Sequence, residues 1–308
     1  MQALLDTIAS IEIGHDVQRL FHGRGGRFEN CDNLNLDWYP DVFLLTSFEA
    51  LAFQELEAIR DALEQRLLQL DSSRILNLVF QHRQSGQAAQ STLICGAVPE
   101  PHWVSELGIA FQVHLLKGQN HGLFLDMRQG RAWVQEHSAD KNVLNMFAYT
   151  GGFSMAALKG QARQVVNIDM SKGALNIAKR NHQYNQLDHG VRYLSHDIFK
   201  SWGKLKKLGP YELLIADPPS NQRGSFVATK DYSRLLKRLP DLLSDQADVL
   251  LCLNAPELSR DYLKSQVSEY CPQLEFLEQV ANPSVFDDIN PERALKVLRY
   301  RYNKLIEG

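Results

Sequence analysis

The sequence predicts a doubly wound α/β domain, built on a mostly parallel Rossmann-like sheet and preceded by a small α+β domain. Three observations lead there. From Lys141 onward, short apolar runs alternate with amphipathic helix-like stretches, the signature of strand–helix–strand units. Before that point the pattern is hairpins around one long helix. The chain has 308 residues, 44% of them hydrophobic, enough for two cores. The expected boundaries are 1–115 for the small domain and 116–308 for the larger one.

In the small domain, "RLFHGRGGRF" reads as a strand entering a glycine turn, and "NLNLDWYPDVFLLTSF" as two strands broken at Pro40. A helix follows, with apolar residues Leu51, Leu56, Ile59, Leu63 and Leu67 at three- to five-residue steps. Thr46 and Glu49 have the spacing of a capping box. "RILNLVFQHR" and "STLICGAV" read as a hairpin closed by 84–90, and "IAFQVHLL" as a further strand. The stretch "KGQNHGLFLDMRQGRAWVQEHS" reads as a link.

In the larger domain the strands are "NVLNMF", "QVVNID", "VRYLSHD", "YELLIADPP" and "DVLLCLN". Ser171 is the expected N-cap of the helix "KGALNIAKRNHQYNQL". Right-handed crossovers place the carboxyl ends of these strands on one edge, where such sheets bind ligands. Four of those ends carry polar groups: the turn Gly151–Gly152, Asp169, Asp197 and Asp217. Glycine there permits close approach of backbone to ligand. An acid ending the second strand can accept both ribose hydroxyls. The turn reads "AYTGGFS" rather than GxGxxG, so a nucleoside cofactor without phosphate, S-adenosylmethionine, fits better than a dinucleotide. An ordinary α/β turn with surface acids is the bland alternative.

Bulk properties narrow the partners. A net charge of −3 excludes a generally basic nucleic-acid binder but not a local patch. No apolar run reaches the ~20 residues that span a bilayer, so no membrane association is expected. Four scattered cysteines without CxxC spacing imply reduced thiols in a cytoplasmic protein and no metal site. Lys200, Lys204, Lys206 and Lys207 precede the fourth strand, and Arg223, Lys230, Arg234, Lys237 and Arg238 follow "DPPS". This is either a phosphate-holding rim or a solvated helix face. Phe226 is either a stacking residue for an extruded base or a hydrophobic loop anchor. In "FHGRGGR", His22, Arg24 and Arg27 offer phosphate contacts or simply form a turn.

The segments "GLFLDMRQGRAWV", "VLNMFAYTGGFSMAAL", "NIDMSKGALNIAKRNHQYN", "SHDIF" and "LLIADPPS" resemble the bacterial 23S rRNA methyltransferases of the RlmI and RlmK type. These are class I S-adenosylmethionine-dependent enzymes. The resemblance runs from about Arg19 to the C-terminus. It implies that Phe147, Ala148, Tyr149, Thr150 and Gly151 line the methionine end, and that Asp169, with Met170 beside it, holds the ribose. It implies that Asp197 and the Ile198 backbone face the adenine, and that Asp126 and Arg128 close the site from the linker side, an intradomain ion pair being the alternative for those two. Asp217, Pro218 and Pro219 would stand between sulfonium and target base. Arg223, Phe226 and Lys230 would meet the RNA. The chain starts almost at the small domain, so the extra RNA-binding PUA domain of some relatives is expected to be missing. Relatives can be dimers, and a homodimer stays open.

Cytosine-C5 methylation requires a thiolate that attacks C6. In cytosine-5 relatives it follows the fifth strand. The matching position here is Ala255, and Cys252 lies within the strand, where core packing is expected unless the alignment shifts. The resemblance and Asn254 favour a purine nitrogen, guanine N7, over cytosine C5. An exocyclic amine is disfavoured because Asp217 and Ser220 depart from the Asn-Pro-Pro-aromatic pattern. A small-molecule methyltransferase and a non-catalytic cofactor- or RNA-binding relative remain alternatives, with an NAD-dependent dehydrogenase behind them.

Overall fold

The computed structural model describes residues 1–84, 86–219, 221–222 and 226–304. Two compact units emerge: 1–125 with 283–291, and 126–282 with 292–308. The division falls at Leu125, where the sequence pattern placed it at 115. The segment 283–291 returns to the first unit, which no local pattern announces.

The first unit opens with a helix, α1 (Gln2–Ser10), that the sequence reading did not register. Strands β1 (Gln18–His22), β2 (Leu34–Tyr39) and β3 (Val42–Ser47) follow. Helix α2 (Phe53–Leu70), β4 (Leu78–His82), β5 (Gln90–Cys95) and a separate hairpin of β6 (His102–Glu106) and β7 (Ile109–Val113) complete it. The sheet order is β1-β2-β3-β4-β5. Strands β3 and β4 are parallel, joined through α2, and the other neighbours are antiparallel. The buried stripe of α2 is Ile59, Leu63 and Leu67, at four-residue spacing on one helix face. With Leu4 and Ile8 of α1 it covers Phe21, Leu36, Leu45 and Leu78 of the sheet. The capping residues differ from the expected pair. Thr46 lies in β3, and Glu55 accepts the Ala52 N–H at 2.9 Å. Strand pairing took Thr46 before a helix could use it.

In the second unit, α3 (Arg128–Glu136) occupies the segment expected to be a link. Then come β8 (Asn142–Met146), α4 (Gly152–Lys159), β9 (Gln164–Asp169), α5 (Lys172–Tyr184), β10 (Val191–Ser195), α6 (Trp202–Leu208) and β11 (Tyr211–Ala216). A two-residue pair, β12 (Asn221–Gln222) with β13 (Phe226–Val227), leads to α7 (Ala228–Leu236), β14 (Leu243–Leu253), α8 (Arg260–Tyr270), β15 (Leu274–Val280) and β16 (Lys296–Tyr302). The sheet order is β10-β9-β8-β11-β14-β16-β15. The first five run parallel, while β16 is antiparallel to both its neighbours. The central residues of β8, β9, β11 and β14 are buried on both faces, as at Val143, Leu144, Val165, Val166, Leu213 and Leu214, which explains why these strands read as continuous apolar runs, while the edge strand β10 buries only Leu194. Ser171 caps α5 as expected, its Oγ accepting the Ala174 N–H at 3.2 Å. The chain winds from β8 toward β10 on one side and from β11 toward β14 on the other. The switch therefore falls between β8 and β11, and in such sheets ligands bind outside the carboxyl ends of the strands at that point. Among the described residues no helix is long and apolar enough to cross a membrane.

Candidate active site

The turn after β8 has an unusual backbone. Phe147, Tyr149 and Gly151 adopt positive φ values of 58°, 47° and 83°. For the two aromatic residues this conformation is strained, and such strain persists only where the surroundings impose it. They do so here. Ala148 N–H donates to the Ile168 carbonyl at 3.1 Å, Gly151 N–H to the Ala148 carbonyl at 2.8 Å, and Tyr149 N–H to Asp169 Oδ2 at 2.9 Å. Gly151 is required twice over. Its φ suits glycine, and a Cβ would lie 3.0 Å from His182 Cε1 and 3.1 Å from Ala178 Cβ.

Asp169 ends β9. Its Oδ1 accepts the Ser171 N–H at 2.7 Å while Oδ2 holds Tyr149. The carboxylate is thus locked between two backbone donors, and each oxygen keeps a second lone pair. Met170, next along, is exposed. One strand over, His196 N–H donates to the Asp169 carbonyl at 3.1 Å. Asp197 then caps the Ile198–Lys200 turn, its Oδ1 accepting from Phe199 N–H at 2.9 Å. Ile198 is buried in the core below.

Asp217 ends β11. The residue is part-exposed, but its carboxyl group is enclosed. Burial first, and the neighbouring Asp126 second, push its pKa up to about 7, with Arg131 acting in the opposite sense. Asp126 sits in the Leu125–Met127 turn, and Arg128 begins α3. Arg131, 3% exposed, comes one helical turn after Arg128, so the motif "FLDMRQGR" carried this residue too. At the end of β14, Asn254 is exposed and Ala255 buried. The Ala255 carbonyl accepts from Lys296 Nζ at 2.9 Å. Lys296 is itself only 1% exposed, and no sequence signal marked it. Cys252 lies within β14, fully buried, with its carbonyl accepting from the Tyr232 hydroxyl. Burial, then Asp217 and Asp126, hold the Cys252 thiol well above its ordinary pKa.

Two expectations change on the substrate side. Phe226 is 1% exposed, its ring meeting Phe147 and Tyr232 at 5.2 Å and Phe199 at 6.3 Å. It anchors the chain after β11 and offers no face to a base. Arg223, like Ser220, lies outside the described residues. Lys230 is exposed. The basic stretches are partly neutralised: Arg234 pairs with Asp231 at 2.6 Å, Lys206 with Asp241 at 3.2 Å, and Arg238 with Asp241 at 3.7 Å. Eight described cations (Lys200, Lys204, Lys206, Lys207, Lys230, Arg234, Lys237, Arg238) still outnumber the three carboxylates they face, Asp197, Asp231 and Asp241.

A buried polar chain supports the glycine turn from beneath. Asn145 Nδ2 donates to Asn167 Oδ1 (2.9 Å), Asn167 Nδ2 to Ser154 Oγ (2.9 Å), and Ser154 Oγ lies 2.8 Å from His182 Nε2. His182 Nδ1 is 2.6 Å from the Ala178 carbonyl, which only accepts. Nδ1 therefore carries the proton and Nε2 accepts from Ser154. Burial lowers the His182 pKa to about 4, so the ring stays neutral. Beside it, Asn181 Nδ2 donates to the Thr150 carbonyl at 3.1 Å. A signal existed in the sequence. Asn181 and His182 fall on the apolar stripe of α5, three and four residues after Ala178.

A family model described as an S-adenosylmethionine-dependent methyltransferase matches residues 18–301. The chain belongs to this family. Its cofactor is S-adenosylmethionine, and the residues present fit that group: a glycine turn without a side chain, and a fixed carboxylate with one spare lone pair on each oxygen. Among curated relatives, "Ribosomal RNA large subunit methyltransferase I" of Aeromonas salmonicida is 34% identical over 195 residues, covering 62% of this chain and 49% of the relative. The protein of the same name from Klebsiella pneumoniae is 29% identical over 234 residues, covering 73% and 58%. The chain thus spans about half the length of the curated relatives it matches. Among solved structures, SMU.776, a candidate methyltransferase complexed with SAH, aligns at TM-score 0.82 with 24% identity over 97% of this chain and 81% of that one. The complex of aTrm5 with tRNALeu aligns at TM-score 0.62 with 16% identity, covering 91% and 76%. These two likenesses establish the class I methyltransferase fold.

Proposed function

We propose that this methyltransferase acts on RNA, namely 23S ribosomal RNA, at a purine nitrogen, with guanine N7 favoured over cytosine C5. The RNA part is supported by the names of the matched relatives and by the excess of cations around the strand ends carrying Asp197 and Asp217. The choice of atom rests on Cys252. A covalent cytosine route needs a thiolate, and this thiol is fully buried in β14 and held protonated, with Ala255 where the resemblance places the nucleophile.

In this reading, Phe147 to Gly151 and Asp169 hold the cofactor, and Asp197 with the Ile198 backbone orients its adenine. Bound S-adenosylmethionine supplies an electrophilic methyl group. Asp217, Pro218 and Pro219 border the acceptor, and Asn254 positions its edge. Asp126 and Arg128 close the site from the α3 side, and Lys230 contacts the RNA backbone. A neutral N7 becomes a cationic ring on methylation. The carboxylates of Asp126 and Asp217 supply the negative potential that such a ring needs as its charge develops. Since Asp217 ionises at about 7, the rate rises with pH through that value.

The test is mass-spectrometric nucleoside mapping of 23S rRNA from cells lacking the gene, complemented with wild type or with Cys252→Ser. The expected result is loss of one 7-methylguanosine and its return with both genes. Loss of a 5-methylcytidine that Cys252→Ser fails to restore would overturn the choice of atom. Unchanged rRNA would overturn the RNA reading in favour of a small-molecule acceptor.

A further inference from the structure

Helix α5 turns two buried side chains toward the glycine turn, and the cofactor reading gives neither of them a role. Asn181 is fully buried, and its Nδ2 donates to the Thr150 carbonyl at 3.1 Å. His182, the next residue, is fully buried too. Its ring fills the space beside Gly151, where a Cβ would lie 3.0 Å from His182 Cε1. Neither side chain has a face to offer a ligand.

Both residues are held from below. His182 ends a run of hydrogen bonds that crosses three further elements, from Asn145 of β8 through Asn167 of β9 to Ser154 of α4. All these residues are buried. At the other side of the ring, His182 Nδ1 donates to the Ala178 carbonyl at 2.6 Å, one turn back in α5. A buried polar run of this kind favours a single arrangement, because a shifted one leaves donors or acceptors unpaired. Helix α5 is thereby tied to β8 and α4, which flank the glycine turn, and to β9, which ends at Asp169.

The turn needs such support. Phe147 and Tyr149 have positive φ values, a conformation that persists only where the surroundings impose it. The N–H groups of Ala148, Tyr149 and Gly151 are tied to Ile168, Asp169 and Ala148. Asn181 adds a tie on the carbonyl side. Thr150 is itself 1% exposed, so the peptide joining it to Gly151 is held from within the protein. Gly151 is the N-cap of α4, so the same peptide sets where that helix begins.

We propose that Asn181, backed by His182, is a positioning residue for S-adenosylmethionine: it holds the Thr150–Gly151 peptide in the form that receives the amino-acid end of the cofactor, without touching the cofactor. This rests on the cofactor reading above, in which the turn lines the methionine end. A looser turn spends a smaller fraction of its time in the binding form, and apparent affinity falls with that fraction.

The experiment measures, by isothermal calorimetry below each protein's thermal transition, the affinity for S-adenosylhomocysteine and for 5′-methylthioadenosine, which has the same nucleoside and no amino-acid group. The proteins are the intact wild-type chain, Asn181→Ala, Asn181→Ser, Asp169→Ala and Asn142→Ala. Asn142 is the control for a lost side-chain amide, since its Nδ2 donates to the Leu208 and Pro210 carbonyls at the opposite end of β8. Loss of one neutral hydrogen bond to the turn predicts about fivefold weaker S-adenosylhomocysteine binding in Asn181→Ala, with 5′-methylthioadenosine binding unchanged. Asn181→Ser, whose hydroxyl is too short to reach the Thr150 carbonyl, is expected to match it, and carries the test should the alanine variant not fold. Asn142→Ala is expected to lower the thermal transition and leave both affinities at the wild-type value, which is also how a purely structural Asn181 would behave. If the Asn181 variants bind both ligands as wild type does, or lose both by one factor, while Asp169→Ala weakens both, the positioning role is wrong and the cofactor site stands. If Asp169→Ala leaves both affinities unchanged, the site assignment falls and the proposal with it.

Discussion

Replacing Asp169 by alanine tests the cofactor site most directly. The carboxylate is fixed by two backbone donors, Tyr149 N–H at 2.9 Å and Ser171 N–H at 2.7 Å. The substitution therefore removes two things. One is the acceptor pair proposed for the ribose hydroxyls. A hydrogen bond to a charged group contributes about 1.5–3 kcal/mol, so even one such contact predicts roughly tenfold weaker binding and two predict more. The other is the tether holding Tyr149 at positive φ, whose loss lets the turn relax and weakens the methionine end as well. Asp169→Asn keeps one carbonyl oxygen but turns an NH2 group toward a backbone N–H. It should fall between wild type and alanine. The assay is isothermal calorimetry with S-adenosylmethionine and with its demethylated product, alongside thermal unfolding to confirm the fold. Both ligands share the ribose, so both should weaken by the same factor. A folded Asp169→Ala protein with unchanged affinity for either ligand refutes the reasoning.

Two further predictions concern protonation. The His182 pKa is about 4 in the fold against 6.5 unfolded, so the unfolded chain binds the extra proton between these values. Stability is lost as pH falls from 6.5 toward 4, by about 3 kcal/mol in total. In His182→Gln, chemical denaturation at pH 7 and pH 4.5 should show a smaller difference than in wild type. An equal difference in the two proteins would remove His182 from the acid response. Asp217 behaves oppositely: its folded pKa, about 7, exceeds the unfolded 3.8, so stability falls as pH rises through that interval, by up to about 4 kcal/mol. Asp217→Asn should match wild type near pH 4 and be more stable than it at pH 8. It should also lose the inflection near 7 in the pH profile of methyl transfer. A stability gain independent of pH would show that the Asp217 carboxyl is not strained by ionisation.

Wherever one local rule sufficed, the sequence was legible. The parallel strands β8, β9, β11 and β14 announced themselves as apolar runs because both their faces are covered. Ser171 was readable because an N-cap is a matter of one side chain and one turn. The acids at positions 169, 197 and 217 could be placed on one edge because each lies at or just past the end of a strand, and in a wound sheet strand ends share an edge. Failures arose where distant segments compete. Thr46 had capping spacing but was taken by the β2–β3–β4 ladder. Phe226 carried two readings, a stacking residue or a loop anchor, and only its enclosure by Phe147, Phe199 and Tyr232 decides for the anchor. Lys296 carries no motif, and although Arg131 and His182 lie within recognisable segments, their roles depend on partners from other elements.

The sequence by itself determined the periodicity, the glycine turn and the order of polar strand ends, and so the fold class and the kind of cofactor. These are properties of neighbouring residues and of the handedness of the chain. Only the tertiary structure decided which groups are ionised and which are covered. Burial seals the Cys252 thiol and raises the Asp217 carboxyl, because desolvation and Coulomb interactions depend on distances that close only when the chain is folded.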